Sequence, residues 1–388
     1  MSEIVVYASF PNEIHSKAVN LDPSNWTWSP CIQISADRVL HFSSRPYAWL
    51  RYAIGAIVGA HGHLAITNTQ SYTPVDYLAP SIPLDVLALY YHLDDKEKLR
   101  MFPIDPGFLH ERITSSVLTA RRAGFREDVL RRDGNLCVVS QVPGSYCDAA
   151  HLSAHAKGDK YIQVNTQRRA RSEAEYIANV DDLRNGLLLH PFIHRGLGKN
   201  VAFLVTPNFA METSDKGQSD LQCVAHAFID DPYSLGGPHV RLGTSVRICD
   251  DLTQWPPQIL FDLVYASAVL VHFGTPRLRE QFSANGFKDQ LYPQGVSNST
   301  QAEYMASIEK RAQDDANTKS HNLGRGERGA KREHRDELDA YDMIMFLPYI
   351  NVGAEKMMHT FKEAEERAEA AERAASVKKV EQWRGHLE

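Results

Sequence analysis

Runs of apolar residues along the chain change period several times, and each change marks a new element. IVVYASF at 4–10 and CIQISADRVLHF at 31–42 are dense in β-branched and aromatic residues and predict strands. Tyr47–Val58 has helical spacing, and the Gly-His-Gly-His segment at Gly59–His63 predicts a turn behind it. Pro83–Leu93 predicts another short helix. From His110 to Arg132 the residues Ile113, Val117, Ala120, Phe125 and Val129 fall on one helical face, which Asp133-Gly134 ends. LCVVS at 136–140, QVPGSY and CDAAHL at 147–152 then predict a strand, a turn and a second strand, that is, a hairpin.

Beyond the hairpin, Gly158–Asn179 is polar and predicts a long loop with some helix at Ser172–Ala178. Asp181–Leu189 leads into a helical stretch carrying His190 and His194. VAFLV at 201–205 predicts a strand, residues 220–250 hold further strand-like segments, and Pro257–Phe273 predicts a strongly apolar helix opened by proline. Residues 311–338 are charged and poor in apolar residues, as in a linker. In the C-terminal segment, Ala354–Trp383 predicts a long helix with a seam of Met357, Phe361, Ala364, Ala368, Ala371 and Ala375. An alanine seam buries little area, which favours docking on the body over a coiled coil. It also offers a surface for a homo-oligomer or a partner protein.

Composition narrows the class. The chain has 388 residues, 43% of them hydrophobic, room for two or three domains with real cores. Net charge is −6, so attraction to a phosphate backbone must come from local clusters rather than from the whole surface. Five scattered cysteines fit a reducing compartment better than a disulfide framework. The N-terminus lacks a basic segment followed by an apolar core, and no apolar run reaches the roughly 20 residues that span a bilayer. These features predict an intracellular protein, cytoplasmic or nuclear, with no membrane segment.

Candidate chemistry gathers at 126–212. Hydrolysis of a phosphodiester needs a base for water, and a neutral imidazole serves near pH 7. It also gains from a divalent cation on the phosphate and from a group that fixes the base. The words RRDGNLCVVS, Ala-Ala-His at 149–151, Asn-Gly-Leu-Leu-Leu at 185–189, a histidine nine residues after that asparagine, and AFLVTPNFA occur in this order. The order resembles the HNH (ββα-metal) nuclease domain, in a subtype common among fungal proteins. The resemblance implies an α+β protein with a central ββα-metal core over 106–215. Around it lie an N-terminal mixed α/β region at 1–105, an α+β extension at 216–310, the charged linker and a helical segment at 339–388.

By position, the resemblance implies His151 as general base, Asn185 as the asparagine that holds the base or its hairpin, and His194 as a metal ligand for Mg²⁺, Mn²⁺ or Zn²⁺. It implies nucleic acid, DNA above RNA, as the partner. Many nucleases of this class carry a carboxylate or histidine just before the base, where this chain has Ala150. Asp148, His155, Asp182 and His190 are the candidates for the missing ligand. The chain has no CxxC pair, which argues against a structural zinc. Basic clusters flank the site, and Arg122, Arg126, Arg132, Arg168 and Arg169 are the candidate phosphate contacts. Two functional classes follow: a metal-dependent endonuclease, or a protein that keeps the fold as a binding scaffold without the chemistry.

Overall fold

A computed structural model describes residues 3–12, 20–108, 120–205, 223–229, 240 and 243–284. The predicted linker, the C-terminal helix and its alanine seam lie outside them, as do residues 109–119 of the predicted entry helix. Every described residue falls within the unit Met1–Asp315. It contains both helices and sheets, an α+β arrangement.

β1 (Glu3–Pro11) is the predicted first strand. The second predicted strand divides into β2 (Trp26–Ser35) and helix α1 (Ala36–Phe42). Ser35 causes the break: its hydroxyl accepts the amide of Arg38, and Asp37 sits in the first turn, where the helix dipole favours an acid. α2 (Pro46–Val58) follows as expected and stops at Gly59, whose φ of +70° is open to glycine. β3 (His63–Ala65) comes next.

Pro83–Leu93 is not a helix. Its core is β4 (Ala88–His92), which lies parallel to β1 inside a sheet of order β2-β1-β4-β3. Leu89 and Tyr91 are buried there, and Tyr90 stacks on Tyr7 of β1, so cross-strand packing overrides the weak helical pattern. α3 (Asp95–Arg100) and α4 (Ala120–Arg132) lead to the candidate site. There β5 (Asp148–His151), α5 (Gly158–Arg169), β6 (Gly186–Leu189) and α6 (Pro191–Gly196) follow in order. A third sheet holds β7 (Val201–Leu204), β8 (Cys223–Ala227) and β9 (Thr244–Val246), and α7 (Gln258–Phe273) and α8 (Pro276–Ala284) end the described chain.

α7 is the spine. Its residues from Ile259 to Leu270 are almost all buried. On one side Trp49 donates to the hydroxyl of Tyr265 at 2.7 Å, and the hydroxyl of Tyr52 donates to Asp262 at 2.6 Å, which fixes α2 to it. On another, Phe203 of β7 meets Phe261 edge to face. All five cysteines are free and buried. Among the described residues no helix is long and apolar enough to cross a membrane.

His226 of β8 is 4% exposed and its Nδ1 lies 2.9 Å from the Tyr265 hydroxyl. That hydroxyl accepts from Trp49 and is left with its own proton to donate toward His226, while burial favours the neutral imidazole. Burial, then the charge of His41, pull its pKa from 6.5 down to about 4. As pH falls through that window the unfolded chain takes up the proton first, so stability declines between pH 6.5 and about 4. Glutamine at 226 can still accept from Tyr265 but does not titrate. His226→Gln is therefore expected to lose less stability than wild type between pH 7 and pH 4.5 in urea unfolding.

Candidate nuclease site

The hairpin at the site differs from the one predicted. CDAAHL pairs not with LCVVS but with the segment after Asn185: Asp148 faces Leu189, Ala149 faces Leu188, Ala150 faces Leu187 and His151 faces Gly186. LCVVS makes one bridge, Leu136 with Pro143, and then turns, with Gln141 at a φ of +58°. GLLL, taken above as the approach to a helix, is a strand because all four residues are buried between layers. The loop predicted at 158–179 holds α5, whose Tyr161 and Ile162 reach the core. Sequence order along the site is therefore strand, helix, strand, helix.

Two residues bolt this unit together. Arg132 grips Asp133 with two bonds, Nε to Oδ1 at 2.7 Å and Nη2 to Oδ2 at 2.9 Å. The same guanidinium donates to the carbonyls of Leu183, Gly186 and Gln254, and its plane lies over Trp255. Asp133 Oδ2 accepts the amide of Leu188 at 2.8 Å. Arg132 is thus withdrawn from the phosphate contacts: its side chain is 2% exposed. A second bolt is Asn185, which has no exposed surface. Its Oδ1 accepts the amide of Ser153 at 2.8 Å, and its Nδ2 donates to the carbonyls of Ser153 and Val180.

His151 ends β5. Phe125 of α4 stacks on its ring, with centroids 4.0 Å apart and planes at 11°. Gly186 makes that possible, since a Cβ there would stand 2.5 Å from Phe125 Cζ. At its edge, His151 Nε2 lies 3.1 Å from Asp181 Oδ1, and His155 Nε2 lies 3.5 Å from the same oxygen. Burial pushes the Asp181 carboxyl up, but hydrogen bonds from the two imidazoles outweigh it and hold the group far below the usual range.

His194 is on α6, and its Nδ1 lies 3.0 Å from Asp148 Oδ2. Burial raises the Asp148 carboxyl, whereas His194, Arg126 and Arg195 lower it further, leaving it ionised below the ordinary value. The other candidate ligands are engaged elsewhere. His155 faces Asp181, and Asp182 caps the 3-10 turn Leu183–Asn185 while pairing with Arg184 at 2.9 Å. His190 is the N-cap of α6 rather than part of the helix, and its ring stacks on Phe192. Among the described residues no group of three or more His, Cys, Asp or Glu is arranged to hold a metal ion. Two protein donors still suit a hard cation that keeps water and takes phosphate oxygens, and Asp148 with His194 is such a pair.

The other arginines divide. Arg126 donates to the carbonyls of Cys147 and Gly144, and Arg169, 8% exposed, donates to Ala56; both are corrected from phosphate contacts to backbone clamps, for which the guanidinium fork is well shaped. Arg168 is exposed, lying over the ring of Phe102. Arg122 lies on α4, and its side chain is outside the described residues. Three residues went unassigned in the sequence. Phe125 was read as helix face and Asp133 as a turn, and no spacing rule singles out Asp181.

With this geometry in view, comparison with known families gives one result: residues 137–201 match the HNH endonuclease family model. The match covers about one sixth of the chain and includes Asp148, His151, Asp181, Asn185 and His194. It bears out the resemblance and points to nuclease chemistry on nucleic acid in general terms. Neither the search of curated proteins nor the search of solved structures gave a match. α4, which supplies Phe125 and Arg132, lies before the matched segment.

Removing the Asp133 carboxylate leaves the buried Arg132 charge without its countercharge and the Leu188 amide without its side-chain acceptor. Asp133→Ala is expected to cost about 3–5 kcal/mol in chemical denaturation, the range for breaking a buried pair from one side.

Proposed function

We propose that the chain is a metal-dependent endonuclease of the ββα-metal type that hydrolyses phosphodiester bonds in DNA. His151 is the general base, and Asp148 with His194 hold one divalent cation, Mg²⁺, Mn²⁺ or Zn²⁺. The water oxygen bonds to phosphorus, one of its protons passes to His151, the bond to the leaving sugar oxygen breaks, and solvent protonates that oxygen. The cation, when bound, neutralises phosphate charge and stabilises the leaving oxygen. Asn185 orients the hairpin, and Arg168 and Arg122 remain as candidate contacts to the backbone.

The observation that carries this reading is the pairing of His194 with Asp148. Side chains on a strand alternate faces, so position 148 shares a face with position 150. Alanine stands where related nucleases carry a ligand, and Asp148 offers a carboxylate on that same face, two residues upstream.

A second reading has its own support. Asp148 and His151 are three residues apart, about 10 Å along the strand, so base and cation pair stand further apart than a base with the ligand just before it. That spacing favours a scaffold that retains the fold and binds nucleic acid or protein without cutting.

Plasmid DNA incubated with Mg²⁺, Mn²⁺ or Zn²⁺ is expected to be cleaved by wild type, with at least about a 10²-fold loss in His151→Ala. Equal cleavage by the two proteins would rule out His151 as base. Titration calorimetry with Mn²⁺ separates the readings further. The nuclease reading expects one site whose heat disappears in Asp148→Ala and in His194→Ala, while the scaffold reading expects none in wild type.

A further inference from the structure

We propose that Asp181 is a positioning residue for His151: its Oδ1 takes the Nε2 proton, so that the base works through Nδ1, while His155 holds the same oxygen from the solvent side. The inference rests on the reading of His151 as base.

The geometry narrows the ring to one state. Asp181 is an ionised carboxylate and can only accept hydrogen bonds. A neutral imidazole has one N–H, and with Nε2 3.1 Å from Oδ1 that N–H belongs on Nε2. The lone pair is then on Nδ1, the atom that can receive a proton from water. The ring is held as well by Phe125 on its face and by Asp181 at its edge.

The carboxylate itself is fixed. The amide of Asp181 donates to Asn179 Oδ1 at 2.8 Å, and the amide of Val180 donates to Asp159 Oδ1 at 2.8 Å. Asn185 closes the frame. Its carboxamide grips Ser153, two residues after His151, and Val180, one residue before Asp181. One buried side chain thus sets the base and its partner at a common distance. His155 is 30% exposed against 10% for His151 and 8% for Asp181, so it meets the shared oxygen from the more accessible side.

A carboxylate that only stabilised the fold would leave tautomer and turnover unlinked. Asparagine at 181 keeps the shape, but its amide can donate to Nε2 and so move the ring proton to Nδ1. The test is ¹⁵N-detected histidine spectroscopy on the full chain, with the His151 signals identified by their loss in His151→Gln. Wild type is expected to show His151 protonated on Nε2, and Asp181→Asn to populate the Nδ1–H form. In plasmid cleavage, Asp181→Asn should lower kcat at least about 10²-fold with KM within about 2-fold. His155→Gln should retain the wild-type tautomer and lose less than about 5-fold in kcat. A wild-type ring protonated on Nδ1 overturns the proposal, even if Asp181→Asn does not fold. An unchanged tautomer and kcat in a folded Asp181→Asn overturns it too. The spectroscopic result stands without any cleavage, so an inactive protein would count against the nuclease reading and leave the tautomer to decide this one.

Discussion

A buried guanidinium that reaches four backbone carbonyl and carboxylate partners at once constrains its neighbours far more than any single contact. Arg132 joins the end of α4 to the carbonyl before Asn185's turn, to the first residue of β6 and to the loop that opens α7. Asp133 supplies the compensating charge and spends its second oxygen on the amide of Leu188. Were the carboxylate missing, the cost of a buried unpaired charge would fall on the hairpin register itself. With it, register is fixed, because a one-residue slip would turn Leu188 and Gly186 to the wrong faces. Gly186 opposite His151 then leaves room for Phe125, and the His151 ring inherits its orientation from a bond made two residues further along β6.

The order of the motif words was legible in the sequence, but the way the segments pair was not. His151, Asn185 and His194 were legible because motif order survives without structure, and β1, α2, β7 and α7 because their periodicity is strong. The hairpin was misread for a physical reason. LCVVS and GLLL are both short apolar runs near CDAAHL, and local proximity favoured the first. The true partner lies some 35 residues on, and only the Asn185 and Asp133 contacts select it. The basic residues were misread for a related reason. Composition gives charge but not direction, and Arg126, Arg132 and Arg169 all turn inward to backbone carbonyl groups. Asp181 was invisible because it contributes through a pairing across the fold rather than through a spacing.

Alternation along β5 gives the site its division of labour. Position 151 faces α4 and its aromatic lid, while 148 and 150 face the other way. On the proposed reading the departure is one of distance along the strand and not of side, since a base and a ligand directly before it would already lie on opposite faces. Ala150 has no exposed surface and sits against Leu187, and an acid there would be buried in the core. Asp148, at the entry of the strand, is about half exposed and can stay ionised while meeting His194. The same sheet that forbids a carboxylate at 150 tolerates one at 148. On the proposed nuclease reading, the cation pair would therefore be moved by one strand repeat, about 6.6 Å. Each histidine of the site is thereby matched to its own carboxylate: His151 lies against Asp181 and His194 against Asp148. In the proposed reading this arrangement would keep base and cation apart, since a carboxylate shared by both would have to choose between orienting an imidazole and coordinating an ion.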